Sequence, residues 1–317
     1  MRALAATNDR DREICRRQRV FMVLIYLASI VVAATAVGQR PKSKQDPKLK
    51  PRQEKLRTKD GIELRAFYFP SEKGKEAPVV LLVHEWQGQA SPYASLVRAL
   101  NQAGCAVLIP DYRGHGGSQT YIDARGQSKE FDIARMSRRD AEAIVTFDLE
   151  KAKGFLKEEN NEGLLNLNAL IVIGVREGCV LAAQWAKRDW SFPSVGRNKQ
   201  GQDVKALIMI SPEKQLKGIS IDSAIMDPNL LRLPIMIAAG AGSPEVSEAK
   251  RLGKRIEGIK KRMGRGEAEG FQLSLAKTSL SGPALVTEVS SVIPAIVKFI
   301  NEEVEVSDTV NPWIERE

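Results

Sequence analysis

Proton-relay chemistry at neutral pH usually needs an imidazole, and this chain of 317 residues has two histidines, His84 and His115, with none after position 115. The stretch that would present a nucleophile is Gly174-Val175-Arg176-Glu177-Gly178. It follows the apolar run Ala169-Leu170-Ile171-Val172-Ile173 and precedes a helix-like stretch from Cys179 to Arg188. A strand, a G-x-S-x-G turn and a helix form a nucleophile elbow, and the middle residue here is Arg176. A guanidinium stays protonated at any working pH and cannot accept an acyl group. At a helix N-terminus it suits either a pairing carboxylate or a bound carboxylate or phosphate ligand. Arg176 and Glu177 are therefore candidate binding residues. Two histidines on separate loops beside one carboxylate make a thin ligand set, so no metal centre and no cofactor is expected. A serine–lysine pair is the nucleophile chemistry that the composition leaves open.

The elements that must position these residues read as alternating strands and helices. Residues 62–69, IELRAFYF, read as an edge strand or hairpin arm. PVVLLV (78–83), AVLIP (106–110), ALIVIG (169–174), ALIMI (206–210) and PIMIAA (234–239) are continuous apolar runs, as strands covered on both faces require. FQLSLA (271–276) is a last strand. Helices are predicted from Ser91-Pro92, with Ser91 as N-cap, to Gly104, over 137–159, near 248–265, and at the carboxyl end, where Leu285, Val289, Val292, Ile293, Ile296 and Ile300 stripe one face. The alternation implies an α/β domain over 59–305 with a mostly parallel sheet, helices on both faces and no large lid; residues 119–136 could form a small one. The basic side chains near 248–265 read as a solvated outer face.

The whole domain resembles the α/β-hydrolase superfamily, within it the dienelactone-hydrolase-like and small-esterase branches. The resemblance rests on VVLLVHEWQG (79–88), DYRGHGGS (111–118), GVREG, LPIMIAAGAGSPEV (233–246) and SLSGPALV (279–286), in that order. It implies a Ser, acid, His relay at the positions held here by Arg176, Ser243 and Ser281. None of the three can play its part: the last two offer neither the negative charge nor the imidazole that the relay requires. The resemblance also implies structural roles for His84 and His115, and it places His84, Glu85 and Trp86 beside Arg176 and Glu177 in a candidate binding cleft, with Glu85 expected within salt-bridge reach of Arg176. Glu213 follows the fourth buried strand, where some hydrolases place their acid, but there is no imidazole for it to orient. The reading is a hydrolase-fold protein without its triad that binds, scaffolds or senses. The alternative is an active esterase, lactonase or peptidase-like hydrolase with a non-standard site.

Charge and targeting signals concentrate before the domain. Residues 59–317 carry 34 basic and 34 acidic side chains, so the net charge of +9 belongs to the first 58 residues and no basic nucleic-acid groove is implied. Residues 1–19 form a basic n-region. Residues 20–37 are 18 residues without a charge, either a transmembrane anchor or a signal peptide, with Ala34-Thr35-Ala36 resembling a cleavage site. Residues 38–58, rich in Lys and Pro, read as a flexible basic linker, and 306–317 as a C-terminal tail. The expected setting is membrane-anchored or secreted, with the domain outside the cytoplasm. The membrane is then a partner through residues 20–37, and a small anionic ligand is a possible guest of the old acyl pocket. Cys15 should stand apart from the domain, while Cys105 and Cys179 read as core residues.

Overall fold

The computed structural model describes residues 47–317 except Arg197 and Arg265. The basic n-region, the apolar segment 20–37 and the first part of the linker lie outside the described residues. The compact unit Pro47–Glu317 is built on an eight-stranded sheet. Its strands are β1 (Arg52–Arg57), β2 (Glu63–Phe69), β3 (Pro78–Val83), β4 (Ala106–Asp111), β5 (Asn166–Val175), β6 (Val204–Ile210), β7 (Ile235–Gly240) and β8 (Phe271–Ala276). Their spatial order is β1-β2-β4-β3-β5-β6-β7-β8. The β1–β2 and β2–β4 pairings are antiparallel, and every later pairing is parallel. β3 to β7 are buried almost throughout, which is why they read as unbroken apolar runs.

Parallel neighbours need crossovers, and the helices provide them: α1 (Ala94–Gln102), α2 (Arg138–Ala143), α3 (Leu149–Asn161), α4 (Gly178–Trp190), α5 (Val246–Met263), α6 (Gly282–Glu288) and α7 (Val292–Glu303). Leu96, Val97 and Leu100 of α1, Leu285 of α6 and Ile296, Phe299 and Ile300 of α7 fill one face of the sheet. Leu149, Phe155 and Leu156 of α3, Val180 and Trp185 of α4 and Leu252 and Ile256 of α5 fill the other. Residues 119–136 form a small hairpin, Thr120–Ile122 against Ser128–Glu130, and no large lid. Among the described residues no single helix is long and apolar enough to cross a membrane.

Three expectations about the elements are corrected. Residues 52–57 of the expected linker are a strand, since Arg52-Gln53-Glu54-Lys55-Leu56-Arg57 buries only Leu56 and reads as polar because an edge strand faces water on one side. The helix expected over 137–159 is interrupted by a π-turn, Ile144–Asp148. Ser91 opens a 3-10 turn, Ser91–Tyr93, rather than capping α1 with its side chain.

The C-terminal tail is a docked strap rather than a free end. The side-chain amides of Asn160, Asn166 and Asn168 donate to the carbonyls of Ile314, Asn311 and Pro312, each at 2.9 Å. Trp313 Nε1 donates to Asn160 O at 3.1 Å, and Lys75 lies 3.6 Å over the Trp313 ring. Arg316 is buried against Asp203, which also pairs with Lys153 at 2.9 Å and Lys199 at 3.0 Å. The segment has few apolar residues, so hydrophobic periodicity could not show that backbone carbonyls and one arginine anchor it.

Candidate functional site

The elbow is built by close backbone approach. A Cβ on Gly178 would lie 2.2 Å from the His84 carbonyl oxygen and 2.4 Å from that of Val83, and one on Gly174 would lie 2.6 Å from Cys179 Cα. These two glycines let α4 start directly over β3 and β5. Between them Arg176 sits at φ +50°, the left-handed region that non-glycine residues rarely adopt. Its N–H donates to Ile210 O at 2.9 Å, which ties the turn to the end of β6. Gly178→Ala is expected to destabilise the fold by about 3 kcal/mol, the upper end of overpacking costs, because backbone cannot yield as a side chain does. Gly154→Ala, on an open face of α3, should be neutral or stabilising by up to about 1 kcal/mol. Urea denaturation of both variants checks the contrast; equal midpoints would show that the close approach is not what Gly178 serves.

The Arg176 guanidinium reaches across the carboxyl ends of the strands. Its Nη2 donates to Glu213 Oε1 at 2.9 Å, and its Nη1 donates to Ser281 Oγ at 3.2 Å. Nη1 also lies 2.7 Å from Glu245 Oε1, while Nε is 3.8 Å from Glu177. The Glu245 contact is charge against charge without hydrogen-bond alignment, for neither carboxylate oxygen has a hydrogen-bond donor. The Glu245 side chain is only 2 % exposed, whereas those of Arg176 and Glu213 are about one third exposed. Burial pushes the Glu213 carboxyl up; Arg176 pulls it down, and the neighbouring Glu177, Glu245 and Glu248 push it up again. Ser281 precedes Gly282, whose φ is +54° and whose missing Cβ would stand 2.7 Å from Arg176 Cδ. Gly282 N–H donates to Ser211 Oγ at 2.9 Å. Ser243 is buried with its hydroxyl unpartnered, in the same turn as Glu245.

Glu85 is not the partner of Arg176. Tyr93 Oη donates to the Glu85 carboxylate, and the tight turn in which Gly88 N–H donates to Glu85 O at 3.0 Å leaves that side chain folded over Gly88. His84 does not line an open cleft either. It is fully buried, stacked on Tyr112 at 4.3 Å, with Nδ1 donating to Glu85 O at 2.8 Å. Trp86 packs edge-on to His115 at 4.6 Å and faces Lys217 at 5.6 Å. Of the five residues expected in the cleft, the structure pairs Arg176 with Glu177, while the side chains of His84 and Trp86 pack with Tyr112 and His115 and that of Glu85 accepts from Tyr93. Glu245, missed by sequence reasoning, left one signal: a carboxylate two residues beyond Ser243. Cys105 and Cys179 are buried and free, with burial pushing the Cys105 thiol up to about 12.

His115 lies in the 111–118 loop, with Nδ1 donating to Arg113 O at 2.9 Å and Nε2 unpartnered. Burial lowers both imidazoles, His115 to about 4. Asp111 organises the loop: it accepts from Arg65 Nη2 at 2.7 Å, Gly117 N at 2.8 Å and Ala90 N at 3.1 Å. His84 Nε2 is 3.8 Å from Asp111 Oδ1, too far for a hydrogen bond.

Comparison with known proteins agrees with the fold. A family model described as serine aminopeptidase, S33, matches residues 74–226, just under half of the chain. An uncharacterized protein of Mycobacterium tuberculosis is 41% identical over 63 residues, 20% of this chain and 22% of the relative, so the match spans about a fifth of that protein's length. Among solved structures, a Pyrococcus furiosus esterase is similar with a TM-score of 0.56 at 14% identity, over 81% of this chain and 92% of the esterase. A dienelactone hydrolase from Anabaena variabilis has a TM-score of 0.52 at 16% identity, over 80% of this chain and 96% of that enzyme. An esterase from Pyrobaculum calidifontis has a TM-score of 0.52 at 15% identity, over 80% and 85%. The chain has the α/β-hydrolase fold.

Proposed function

We propose that this protein is a catalytically degenerate member of its fold class that binds, scaffolds or senses outside the cytoplasm. The observation that carries the reading is the Arg176 cluster. At the apex of the elbow stands a cation bonded to Glu213 and Ser281 and paired with Glu245. Both histidines are buried in loops of their own, lowered by burial and hydrogen-bonded to backbone. Ser243 and Ser281 then stand where the resemblance implies the acid and the base. Glu177, Glu213 and Glu245 outnumber Arg176, and this surplus of carboxylates disfavours a small anionic guest. The cluster is an internal closure of the cleft. The uncharged segment 20–37 supports display on a membrane or secretion.

A second reading, an active hydrolase, is favoured by the serine aminopeptidase match and by the esterases among the similar structures. Turnover separates the two. The full chain in detergent is offered short-chain activated esters, lactones and aminoacyl amides, beside Arg176→Ala and a triple variant, Arg176→Ser with Ser243→Asp and Ser281→His. Loss of a triad member costs roughly 10⁴ to 10⁶ in turnover, so the native chain should stay at the buffer rate, with any gain confined to the triple variant. Native turnover that disappears in Arg176→Ala would establish the enzyme instead.

A further inference from the structure

Carboxylates outnumber the cation at the elbow, where the strands end. Where β5 begins, the balance of charge is reversed. A cavity of about 310 Å³ lies there between α3, the start of β5, the residues that lead into β6 and the C-terminal strap. Leu167 lines it, at the other end of β5 from Arg176, which the strand rise puts roughly 30 Å away. Four cations line this cavity, Lys153, Lys157, Lys199 and Arg316, against two carboxylates, Asp203 and Glu317. Lys205 and Asp189, which act on the same groups, leave the excess at two.

The carboxylates are already engaged. Asp189 accepts from Lys153 and from the backbone N–H groups of Asp203 and Val204, the latter two at 2.7 and 3.1 Å. Asp203 is shared among Lys153, Lys199 and Arg316. Glu317 is exposed and accepts from Asn198. Lys157 has no carboxylate partner among the described residues. Arg316 is 5% exposed, and its Nε has no hydrogen-bond acceptor. Burial pushes the Lys199 ammonium down to about 8; Asp203 pulls it up, and Lys205 and Arg316 push it down again. Burial lowers Lys205 as well. Cations crowded together and partly removed from water are stabilised by an anion that reaches several of them at once.

We infer that the cavity beside the strap binds inorganic phosphate or a phosphate monoester. A phosphoryl group carries a charge of about −1.5 to −2 near neutral pH, which matches an excess of two cations; a carboxylate would leave one of them unmatched. Its oxygens can accept from lysine and arginine donors together, as charge-assisted hydrogen bonds. The volume lies at the lower end of small-molecule sites, which run from roughly 300 to 1,000 Å³, so it has room for a phosphate with a short organic group. Arg316 belongs to the strap, so the ligand also fastens the strap to α3 through Lys157.

Calorimetric titration of the full chain in detergent with inorganic phosphate tests the site. Lys157→Gln should weaken binding roughly tenfold, as the loss of one charge-assisted hydrogen bond does. Arg262→Gln, on the exposed side of α5, should leave it unchanged. Lys199 supplies a second readout in the native chain. An anion beside it holds its proton, so its acetylation by an amine-reactive ester near pH 8, read by mass spectrometry, should slow several-fold in phosphate. Acetylation of the exposed Lys250 should keep its rate. Micelles doped with phosphatidic acid distinguish the source: protection of Lys199 there, and not by phosphate in solution, would assign the same cavity to a lipid headgroup. The absence of both binding and protection at about 10 mM of either ligand would overturn the proposal. So would binding that Lys157→Gln leaves unchanged, or that Lys157→Gln and Arg262→Gln weaken equally.

Discussion

Replacing Asp148 by alanine should cost the fold about 3–5 kcal/mol, the range for breaking a buried ion pair by removing one partner. Asp148 is fully buried at the end of the π-turn and holds Arg113 in four ways. It accepts from the Arg113 backbone N–H at 2.9 Å and from Nη2 at 2.6 Å, and both of its oxygens accept from Nε, at 3.0 and 3.1 Å. Burial pushes the Asp148 carboxyl up and the adjacent guanidinium pulls it back, so the pair spends much of its attraction on its own desolvation. Its intact presence is therefore weak support for stability. Its half-removal is another matter. Without Asp148, Arg113 keeps Asp60 as its one carboxylate partner among the described residues, at 2.7 Å and on the exposed side, and a buried backbone N–H loses its acceptor. The loop from Asp111 to Ser118 should loosen with it, because His115 hangs from the Arg113 carbonyl. Chemical denaturation of Asp148→Ala and Asp148→Asn measures the cost. A loss below about 1 kcal/mol for both would show that water enters and solvates Arg113.

The π-turn that delivers Asp148 explains part of what was legible in the sequence. Periodicity placed a helix over 137–159 because Ile144, Phe155 and Leu156 keep a helical stripe through the irregularity. The extra residue in the turn leaves no compositional mark. Buried strands were legible for a simpler reason: a strand covered on both faces has to be apolar throughout, as 78–83 and 169–174 are. β1 and the C-terminal strap were not, since charge pairing and amide-to-carbonyl bonds hold them, and these leave no period.

At the site, the residue type and the turn were legible while the partners were not. Arg176 at the elbow apex follows from GVREG, because two glycines around a strand-to-helix turn fix where the middle residue points. Which carboxylate meets it depends on loops after β6 and β7 that are far apart in sequence. Glu85, close to the elbow by strand adjacency, is drawn off by Tyr93. Nothing in the spacing of positions 85 and 176 could reveal that competition.

The second large effect is acid sensitivity from the buried histidines. Burial lowers His115 from 6.5 to about 4, and it lowers His84 in the same direction. Asp111 favours the cation in both and Glu85 favours it in His84, while His84 opposes it in His115; burial outweighs the carboxylates. Above pH 6.5 both imidazoles are neutral whether the chain is folded or not, so their contribution is fully present. As pH falls below 6.5 the unfolded chain binds protons that folded His115 refuses, and stability drops by about 1.4 kcal/mol per pH unit. The loss reaches about 3 kcal/mol near pH 4, where the folded imidazole itself begins to protonate. His84, lowered in the same direction, adds to the loss as pH falls below 6.5. The carboxylates titrate at the lower end of this range as well, so the informative quantity is a difference. His115→Asn keeps a donor for the Arg113 carbonyl and has nothing to titrate. Urea unfolding of both chains at pH 7, 5.5 and 4.5 should show the variant less stable at pH 7 and the gap closing toward pH 4.5. A gap that stays constant across the series would mean that His115 is hydrated in the folded chain, and its unpartnered Nε2 would then belong to water rather than to the core.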